Sequence, residues 1–441
     1  MNRARFAARL GRIAAFGVLE LGVLFAGEPN AAGQESQLAS LRAAANGPGA
    51  DPATSLALGR ALRRAGHPAE ALRELRRGVL AAGASRDLAV ALRWELARAR
   101  FDEHDFAQAM QACKALGALP GAVAEGLACA ADAHLVWQRA TEALTQTAAA
   151  LAKDPSCYEA KLAEGRARDL TLDVAASEDA FRTAVAWQPE RPEAHFWLGR
   201  LLLHDGDGRK SDAVAELRAA VRLDPSSPEA LYELAEAVSP GDESVGLLER
   251  ATRERPSFTE AWLALAPQEL AGGRVANAKR SAEEALRHDP GKVEPHLLLG
   301  RIALAEGRSD DAIEQGAAVL KILPSSAAAK LLIADANAKK GEIDRALEAY
   351  QAAWGLDHRD PTPLVRASAA CHSAGRDTSA RAFAVRATEE FPRWAPAWLA
   401  LGDALAAQNE REAAREAYRK ALSAEGAIDR AALNRKLGVT P

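Results

Sequence analysis

Aromatic residues are scarce in this sequence. Its 441 residues include 8 Trp, 4 Tyr and 10 Phe, so aromatic rings contribute little to the 48% hydrophobic content. Most of that content is Ala and Leu, which favour helices, whereas β-sandwiches and barrels are rich in β-branched and aromatic residues. The composition therefore predicts an all-α protein.

Cysteine and charge of one sign are also in short supply. Four Cys are too few for a disulfide-based scaffold of this length. The formal net charge is -4, whereas domains that bind nucleic acid are usually clearly basic. A mean hydropathy of -0.19 excludes a protein with many membrane spans. We therefore expect neither a nucleic-acid partner nor a polytopic membrane protein.

Residues 1–33 have the order of a secretory signal. Four Arg and no acidic residue in 1–12 precede a mostly apolar run from Ile13 to Gly27, and small residues follow at 31–33. The run is shorter than the roughly 20 apolar residues of a membrane-spanning helix. We expect a periplasmic or extracellular protein whose membrane contact, if any, is through an uncleaved N-terminus.

Two features keep other locations open. Glu20 lies within the apolar run, where an acidic residue is costly. An Arg-rich start without acidic residues also fits a mitochondrial transit peptide, and a misassigned start codon would leave a cytoplasmic protein. Residues 34–51 are expected to form a turn-rich linker, because they end in Asn46-Gly-Pro-Gly-Ala-Asp51.

A spacing of about 34 residues runs through the rest of the chain. Prolines recur at this interval, with gaps of 31 to 36 residues and a final gap of 68, at Pro155, Pro189, Pro225, Pro256, Pro290, Pro324 and Pro392. Leu-Gly pairs recur in the same phase at Leu198-Gly199, Leu299-Gly300 and Leu401-Gly402. Small residues also keep the phase, at Ala143, Ser177, Ala213, Ala278, Ala312, Ala346, Ala380 and Ala414.

The spacing predicts two antiparallel helices in each unit. Apolar residues fall at helical intervals in 194–204, stop at Asp205-Gly-Asp-Gly, and resume in 212–223 before Asp224-Pro225. Small residues at a constant phase allow the two helices to approach closely. Since a Gly within a helix costs about 0.5–1 kcal/mol relative to Ala, its recurrence there indicates a packing requirement. Stacking of successive helix pairs makes their core continuous.

The period and its phased residues resemble the tetratricopeptide repeat family. Its 34-residue unit has Trp, Leu-Gly and Tyr early, followed by Ala, Phe and Pro, and the unit starting at Ala395 matches with Trp398, Leu401-Gly402, Ala414 and Tyr418. The resemblance implies a right-handed superhelical solenoid of about eleven helix pairs over 52–428, with a capping helix in 429–441. Units are expected to start near residues 52, 90, 124, 158, 192, 228, 259, 293, 327, 361 and 395.

The resemblance also implies where a ligand binds. In this family the first helix of each pair lines a concave groove, with positions 2, 5 and 9 of the unit facing it. We expect a protein or peptide partner, acidic or carboxylate-bearing because Arg pairs with carboxylates. The predicted binding residues are Arg60, Trp94, Arg98, Arg166, Phe196, Arg200, Tyr232 and Arg301.

A structural role for these charges is the alternative. Arg at position 9 and Glu at position 2 of one unit could neutralise each other, and an acidic residue in the first turn of a helix favours its dipole without any ligand. The Lys and Asn set with which the family binds chaperone tails is missing, so this partner is disfavoured.

No catalytic, metal or cofactor motif is present. The phosphate-loop, H-E-x-x-H and G-x-S-x-G patterns are absent. A calcium-loop-like frame starting at Asp205 has Lys210 where the loop needs Gly. Cys113 and Cys129 fall on adjoining helices and could form a disulfide in an exported protein, or be buried as thiols. We therefore expect a non-enzymatic scaffold, with an accessory or regulatory subunit of an envelope, pilus or glycan-assembly enzyme system as the alternative.

Overall fold

The computed structural model describes residues 31–47, 51–83, 85–205 and 208–437. Within these ranges every regular element is a helix, 24 in all. The expectation of an all-α protein is confirmed. Of the predicted signal segment, only its last three residues are described.

The helices are short and evenly spaced along the chain. They are α1 (Ala31–Asn46), α2 (Pro52–Arg64), α3 (Pro68–Ala81), α4 (Arg86–Asp102), α5 (Phe106–Gly117), α6 (Val123–Val136), α7 (Ala140–Lys153), α8 (Tyr158–Leu170), α9 (Val174–Trp187), α10 (Pro192–His204), α11 (Lys210–Leu223), α12 (Pro228–Ala237), α13 (Asp242–Glu254), α14 (Thr259–Ala271), α15 (Val275–His288), α16 (Val293–Ala305), α17 (Ser309–Ile322), α18 (Ala327–Lys340), α19 (Ile343–Leu356), α20 (Thr362–Ser373), α21 (Asp377–Glu390), α22 (Ala395–Ala407), α23 (Arg411–Ser423) and α24 (Arg430–Leu437).

Helices α2 to α23 form eleven consecutive pairs, which confirms the predicted array of repeated helix pairs. Contacts divide the chain into two compact units, one up to Ala261 and one from Trp262, and the division falls within α14. In each unit the helices of a pair pack together, and the first helices of successive pairs also contact one another. In a curved stack of helix pairs, helices of successive pairs contact one another on the concave side, where the stack is shorter. The first helices make these contacts, so they form the side that we call the inner surface.

Glycines at position 8 of the units allow the two helices of a pair to touch. A Cβ atom at Gly402 would lie 2.3 Å from a ring carbon of Tyr418, and one at Gly59 would lie 2.5 Å from the side chain of Leu75. The phased alanines are equally tightly packed. Each exposes at most 2% of its surface: Ala143, Ala213, Ala278, Ala312, Ala346, Ala380 and Ala414. The Ala-rich composition therefore reflects close helix packing.

The structure corrects two predicted boundaries. The second pair begins at Arg86, one turn before the expected residue 90, because α4 is 17 residues long. The predicted linker is largely helical, since α1 continues to Asn46. Leu38 and Ala45 of α1 are buried against the first helix pair, and this burial stabilises a helix that turn-forming residues alone would not predict. The first described residue after this helix is Gly47, which lies in a bend.

A disulfide joins Cys113 of α5 to Cys129 of α6, with their Cα atoms 5.3 Å apart. The two helices cross closely beside it, since a Cβ atom on Gly126 would lie 2.3 Å from the Cα atom of Gly117. The sequence left open whether these cysteines are bonded. Cys157 and Cys371 are buried thiols, and burial raises the pKa of Cys157 to about 12.

Candidate partner-binding surface

The inner surface of the first unit carries charged side chains that pair across successive first helices. Position 9 of α2 is Arg60, whose Nε donates a hydrogen bond to Oε1 of Glu95 on α4 at 3.0 Å. Arg63, one turn further along α2, donates to the other oxygen of Glu95 at 3.3 Å and to Asp102 at 2.8 Å. Two helices of neighbouring pairs are thus joined by four charged groups.

The pairing continues through the next three first helices. Arg98 of α4 lies 3.8 Å from both Glu95 and Asp132 of α6. Asp132 also accepts a hydrogen bond from Arg166 of α8. The guanidinium carbon of Arg166 lies 4.7 Å from the ring centre of Trp197 on α10, in a cation–π contact.

The last step reaches α12. The guanidinium of Arg200 lies 5.0 Å from the ring centre of Trp197, and its Nε is 3.4 Å from Oε1 of Glu233. Nε2 of His204 lies 3.2 Å from the other oxygen of Glu233. We call this chain of contacts, without the side branch from Arg63 to Asp102, the charge ladder. Its members are Arg60, Arg63, Glu95, Arg98, Asp132, Arg166, Trp197, Arg200, His204 and Glu233.

The carboxylates of the ladder are buried, so they need their cationic partners. Glu233 exposes only 1% of its surface. Burial by itself would raise the pKa of Glu95, but the charges of Arg63, Arg98 and Arg60 outweigh it and hold the pKa below its usual range. An unpartnered buried charge costs several kcal/mol. The ladder is therefore part of the packing between helices as well as of the inner surface.

Most of the predicted binding residues are at least partly exposed in the structure. Arg60 is exposed, whereas Arg200 exposes only 8% of its surface and is held between Trp197 and Glu233. Arg301, on α16 in the second unit, is exposed. The others are partly exposed: Trp94, Arg98, Arg166, Phe196 and Tyr232.

The carboxylates that pair with the Arg residues at position 9 are not the Glu residues at position 2 of the same repeat, which the sequence suggested as the alternative. Positions 2 and 9 of one unit are seven residues apart, which is about 10 Å along a helix and too far for direct pairing. The Glu residues at position 2 pair elsewhere, because Glu125 accepts from Arg86 at 2.7 Å and Glu159 from Arg191 at 2.6 Å. Among the described residues, direct pairing between positions 2 and 9 of one unit is therefore not what the structure shows.

Position 6 of the repeat supplies members of the ladder that sequence reasoning missed. Glu95, Trp197 and Glu233 all occupy it, and all three belong to the ladder. Positions 6 and 9 are three residues apart, so they share one helix face. The sequence did contain a signal for this position, because large or charged residues recur one helical turn before the Arg residues.

Aromatic side chains surround the centre of the ladder. Trp197 stacks on Phe181 with ring centres 6.4 Å apart, and Phe196 meets it edge-on at 5.2 Å. Tyr232 of α12 packs against Phe258 at 5.2 Å. Aromatic rings and Arg are the residue types most often found at the energetic centre of protein interfaces.

In two helix pairs of the second unit, position 9 carries an aspartate that a tyrosine holds in place. Tyr350 donates a hydrogen bond to Asp335 at 2.8 Å, and Tyr418 donates to Asp403 at 2.7 Å. Burial and the neighbouring carboxylate raise the pKa of Tyr350 above its usual range. Asp335 also accepts a hydrogen bond from Arg366 on the first helix of the next pair. Charge pairing between neighbouring helix pairs therefore recurs within the second unit.

The described ranges hold neither a metal-binding cluster nor a membrane-spanning helix. Across them, no three His, Cys, Asp or Glu side chains are grouped so that they could hold a metal ion. No helix in that part of the chain is long and apolar enough to cross a membrane.

Several solved structures are similar to this chain. The crystal structure of MamA protein is 24% identical, covers 38% of this chain and 91% of its own, and has a TM-score of 0.31. YrrB, described as a TPR protein with an unusual peptide-binding site, is 22% identical over 42% of this chain and 97% of its own, with a TM-score of 0.38. Yeast Tom70 is 13% identical, covers 98% of this chain and 95% of its own, and has a TM-score of 0.44.

No protein of curated function matches this chain. Family models for the tetratricopeptide repeat do match, and together they cover more than half of the sequence. The matched segments are 56–123, 171–228, 206–238, 263–327, 297–361 and 395–427. With eleven helix pairs in the fold and the repeat pattern in the sequence, the chain belongs to the tetratricopeptide repeat family.

Proposed function

We propose that this protein is a non-enzymatic scaffold that binds a partner polypeptide along its inner surface and works outside the cytoplasm. Stacked helix pairs present extended inner surfaces suited to binding proteins. The observation that carries the proposal is the row of exposed or partly exposed Arg and aromatic side chains on the first helices. These include Arg60, Trp94, Phe196 and Tyr232.

The charge ladder supports this proposal because it holds the Arg side chains of that row in place before a partner arrives. Arg166 is fixed by Asp132 on one side and by the ring of Trp197 on the other. Ordering a flexible side chain on binding costs roughly 0.5–1.5 kcal/mol, and a side chain that is already ordered avoids much of this loss. A rigid row of cations and rings favours an extended segment that carries carboxylates.

Site-specific photo-crosslinking tests the binding surface. A photoreactive amino acid would replace Arg60, which faces the inner surface, or Arg76, an exposed residue on the second helix of the same pair. Crosslinking in cells that make the protein is expected to join a partner polypeptide to the probe at residue 60 but not to the probe at residue 76. Equal crosslinking at both residues, or none at residue 60, would contradict binding along the inner surface. A captured enzyme subunit would favour the accessory role over a general scaffold.

The Cys113–Cys129 disulfide supports a location outside the cytoplasm, because disulfides persist in oxidising compartments. The signal-like order of residues 1–33 agrees with this location. Cell fractionation and sequencing of the N-terminus of the purified protein provide the test. We expect a periplasmic or secreted protein that starts close to residue 34, whereas a cytosolic protein starting at Met1 would contradict export.

A further inference from the structure

The inner surface of the second unit contains an open cleft of about 510 Å³. Its walls come from α16, α18, α19 and α20. Ligand sites in proteins have volumes of roughly 300–1,000 Å³, so the cleft is large enough for part of a peptide. It is lined by Leu304, Asp335, Ala338, Lys339, Tyr350, Arg366, Ala369, Ala370 and Ser373.

Small apolar residues leave this space open. Position 9 of α20 is Ala369, where several other first helices carry Arg or Asp, and its side chain is exposed. Ala338 and Leu304 continue the apolar surface on the two preceding first helices. An aliphatic side chain of a ligand would find hydrophobic contacts here without displacing a charged group.

The cations of the cleft outnumber its carboxylates. Arg366 and Lys339 face a single acid, Asp335. Arg366 uses Nη1 to bond Asp335, and Lys339 donates to the backbone carbonyl of Leu304 at 2.7 Å. A guanidinium has five N–H donors and an ammonium has three. Most of these donors have no acceptor in the described part of the chain.

A further cation lies on the same face. Arg301 is one helical turn before Leu304 on α16, and its side chain is exposed. Within the described residues, no hydrogen bond or ion pair engages it. The first unit differs, because there the carboxylates Glu95, Asp132 and Glu233 bind the Arg side chains.

We propose that this cleft binds an extended segment of the partner in which an aliphatic residue adjoins Asp or Glu. The carboxylate bonds Arg366 and Lys339, and the aliphatic side chain packs on Leu304 and Ala369. This proposal rests on the proposed function and locates the acidic recognition in the second unit. In the unbound protein, Asp335 engages only Nη1 of Arg366, and its negative charge opposes a ligand carboxylate at the remaining donors.

Fluorescence anisotropy with three synthetic peptides tests the cleft in the full-length protein. The peptides consist of Ser-Leu-Glu, Ser-Leu-Gln or Ser-Leu-Lys repeats, with blocked ends and the same neutral fluorophore. We expect the Glu peptide to bind about tenfold more tightly than the Gln peptide, since charge-assisted hydrogen bonds are roughly twice as strong as neutral ones. The Lys peptide should bind most weakly.

Three variants locate the binding. Arg366→Gln should remove the preference for the Glu peptide, whereas Arg345→Gln, an exposed change on α19, should leave it unchanged. Asp335→Asn keeps an acceptor for Tyr350 but removes the competing charge, so it should tighten binding of the Glu peptide severalfold. A merely structural role of Asp335 predicts weaker binding instead. Thermal unfolding would confirm that each variant is folded.

The cleft proposal is wrong if the Glu and Gln peptides bind equally or not at all, if the preference survives Arg366→Gln, or if Asp335→Asn weakens binding. These results would leave the scaffold proposal standing, because crosslinking from residue 60 tests that proposal separately. If crosslinking from residue 60 fails but the preference for the Glu peptide holds, partner binding along the first unit is contradicted. The proposal that the cleft binds an acidic segment would still stand.

Discussion

Arg64 donates a hydrogen bond to the carboxylate of Asp224 at 2.9 Å, although the two residues are 160 positions apart in sequence. Arg64 ends α2, and Asp224 follows α11. The same guanidinium donates to Ser226 at 3.1 Å. Within the first unit, the end of the first helix of the first pair therefore meets the turn after the fifth pair.

This contact is expected to control the curvature of the first unit more than its stability. Exposed ion pairs contribute about 0–1 kcal/mol, so Arg64→Ala should change the unfolding free energy little. It should, however, widen the distance distribution between spin labels placed at Arg76 and Arg222, measured by pulsed electron paramagnetic resonance. Arg73→Ala, a change on α3, is the control. An unchanged distribution in Arg64→Ala would show that the ion pair does not hold the two ends together.

Glu95 should make the free energy of unfolding depend on pH in the acidic range. Its folded-state pKa lies below the usual range because Arg63, Arg98 and Arg60 outweigh the effect of burial. A carboxyl with a lowered pKa stabilises the fold above its unfolded pKa and loses this contribution as the pH falls through the folded value. Glu95→Gln should therefore lower the melting temperature at neutral pH, and the difference from the unchanged protein should shrink as the pH falls through the lowered pKa of Glu95.

Urea unfolding at several pH values measures this effect. Glu95→Ala should cost more than the amide, because it removes the acceptor of Arg60 and Arg63 altogether, and hydrogen bonds to charged groups contribute about 1.5–3 kcal/mol. A Glu95→Gln difference that stays constant over the whole pH range would contradict the proposed charge pairing.

The Cys113–Cys129 disulfide should stabilise the first unit. It closes a loop with a sequence separation of 16, for which loop entropy predicts about 3 kcal/mol. The double variant Cys113→Ala/Cys129→Ala should melt at a lower temperature and be insensitive to a reductant, whereas the unchanged protein should lose stability on reduction. Cys371→Ala is the control, since its thiol is buried and unbonded. Equal melting temperatures with and without reductant would argue against the bond.

Two glycines should respond to alanine in opposite directions. A methyl group at Gly402 would overlap the ring of Tyr418, so Gly402→Ala should destabilise the protein by about 1–3 kcal/mol. Gly246 lies within α13, and a methyl group there would meet no atom of a neighbouring helix within 4 Å, so Gly246→Ala should stabilise by about 0.5–1 kcal/mol. Chemical denaturation measures both changes. A neutral Gly402→Ala would show that the helices of this pair can separate at no cost.

Much of the fold was predictable because helix pairs are short-range structures. The expected unit starts at residues 192, 228 and 395 coincide with the first residues of α10, α12 and α22. Proline at the first helical position of α10 and α12 marks these starts locally. Helix α1 was not predicted, because its burial depends on packing against the first helix pair, which the turn-forming residues at its end do not indicate.

The candidate binding surface was only partly predictable. The positions of Arg60, Arg98 and Arg166 on the first helices followed from the repeat, and their partial or full exposure agrees with a role at the surface. Their partners Glu95 and Asp132 did not follow, because which side chains meet depends on how neighbouring helices cross. The cleft beside Arg366 was likewise invisible, since it arises where three first helices leave space between them.

The scarcity of aromatic residues, the abundance of Ala and the 34-residue period by themselves determined that the chain is an array of helix pairs. Helix propensity and the spacing of small residues act within one unit, so sequence alone carries them. Only the tertiary structure decided that the Arg residues of the first unit are bound by buried carboxylates while cations of the second unit keep unused donors. That difference depends on distances between side chains of separate helices, which packing sets and sequence spacing does not.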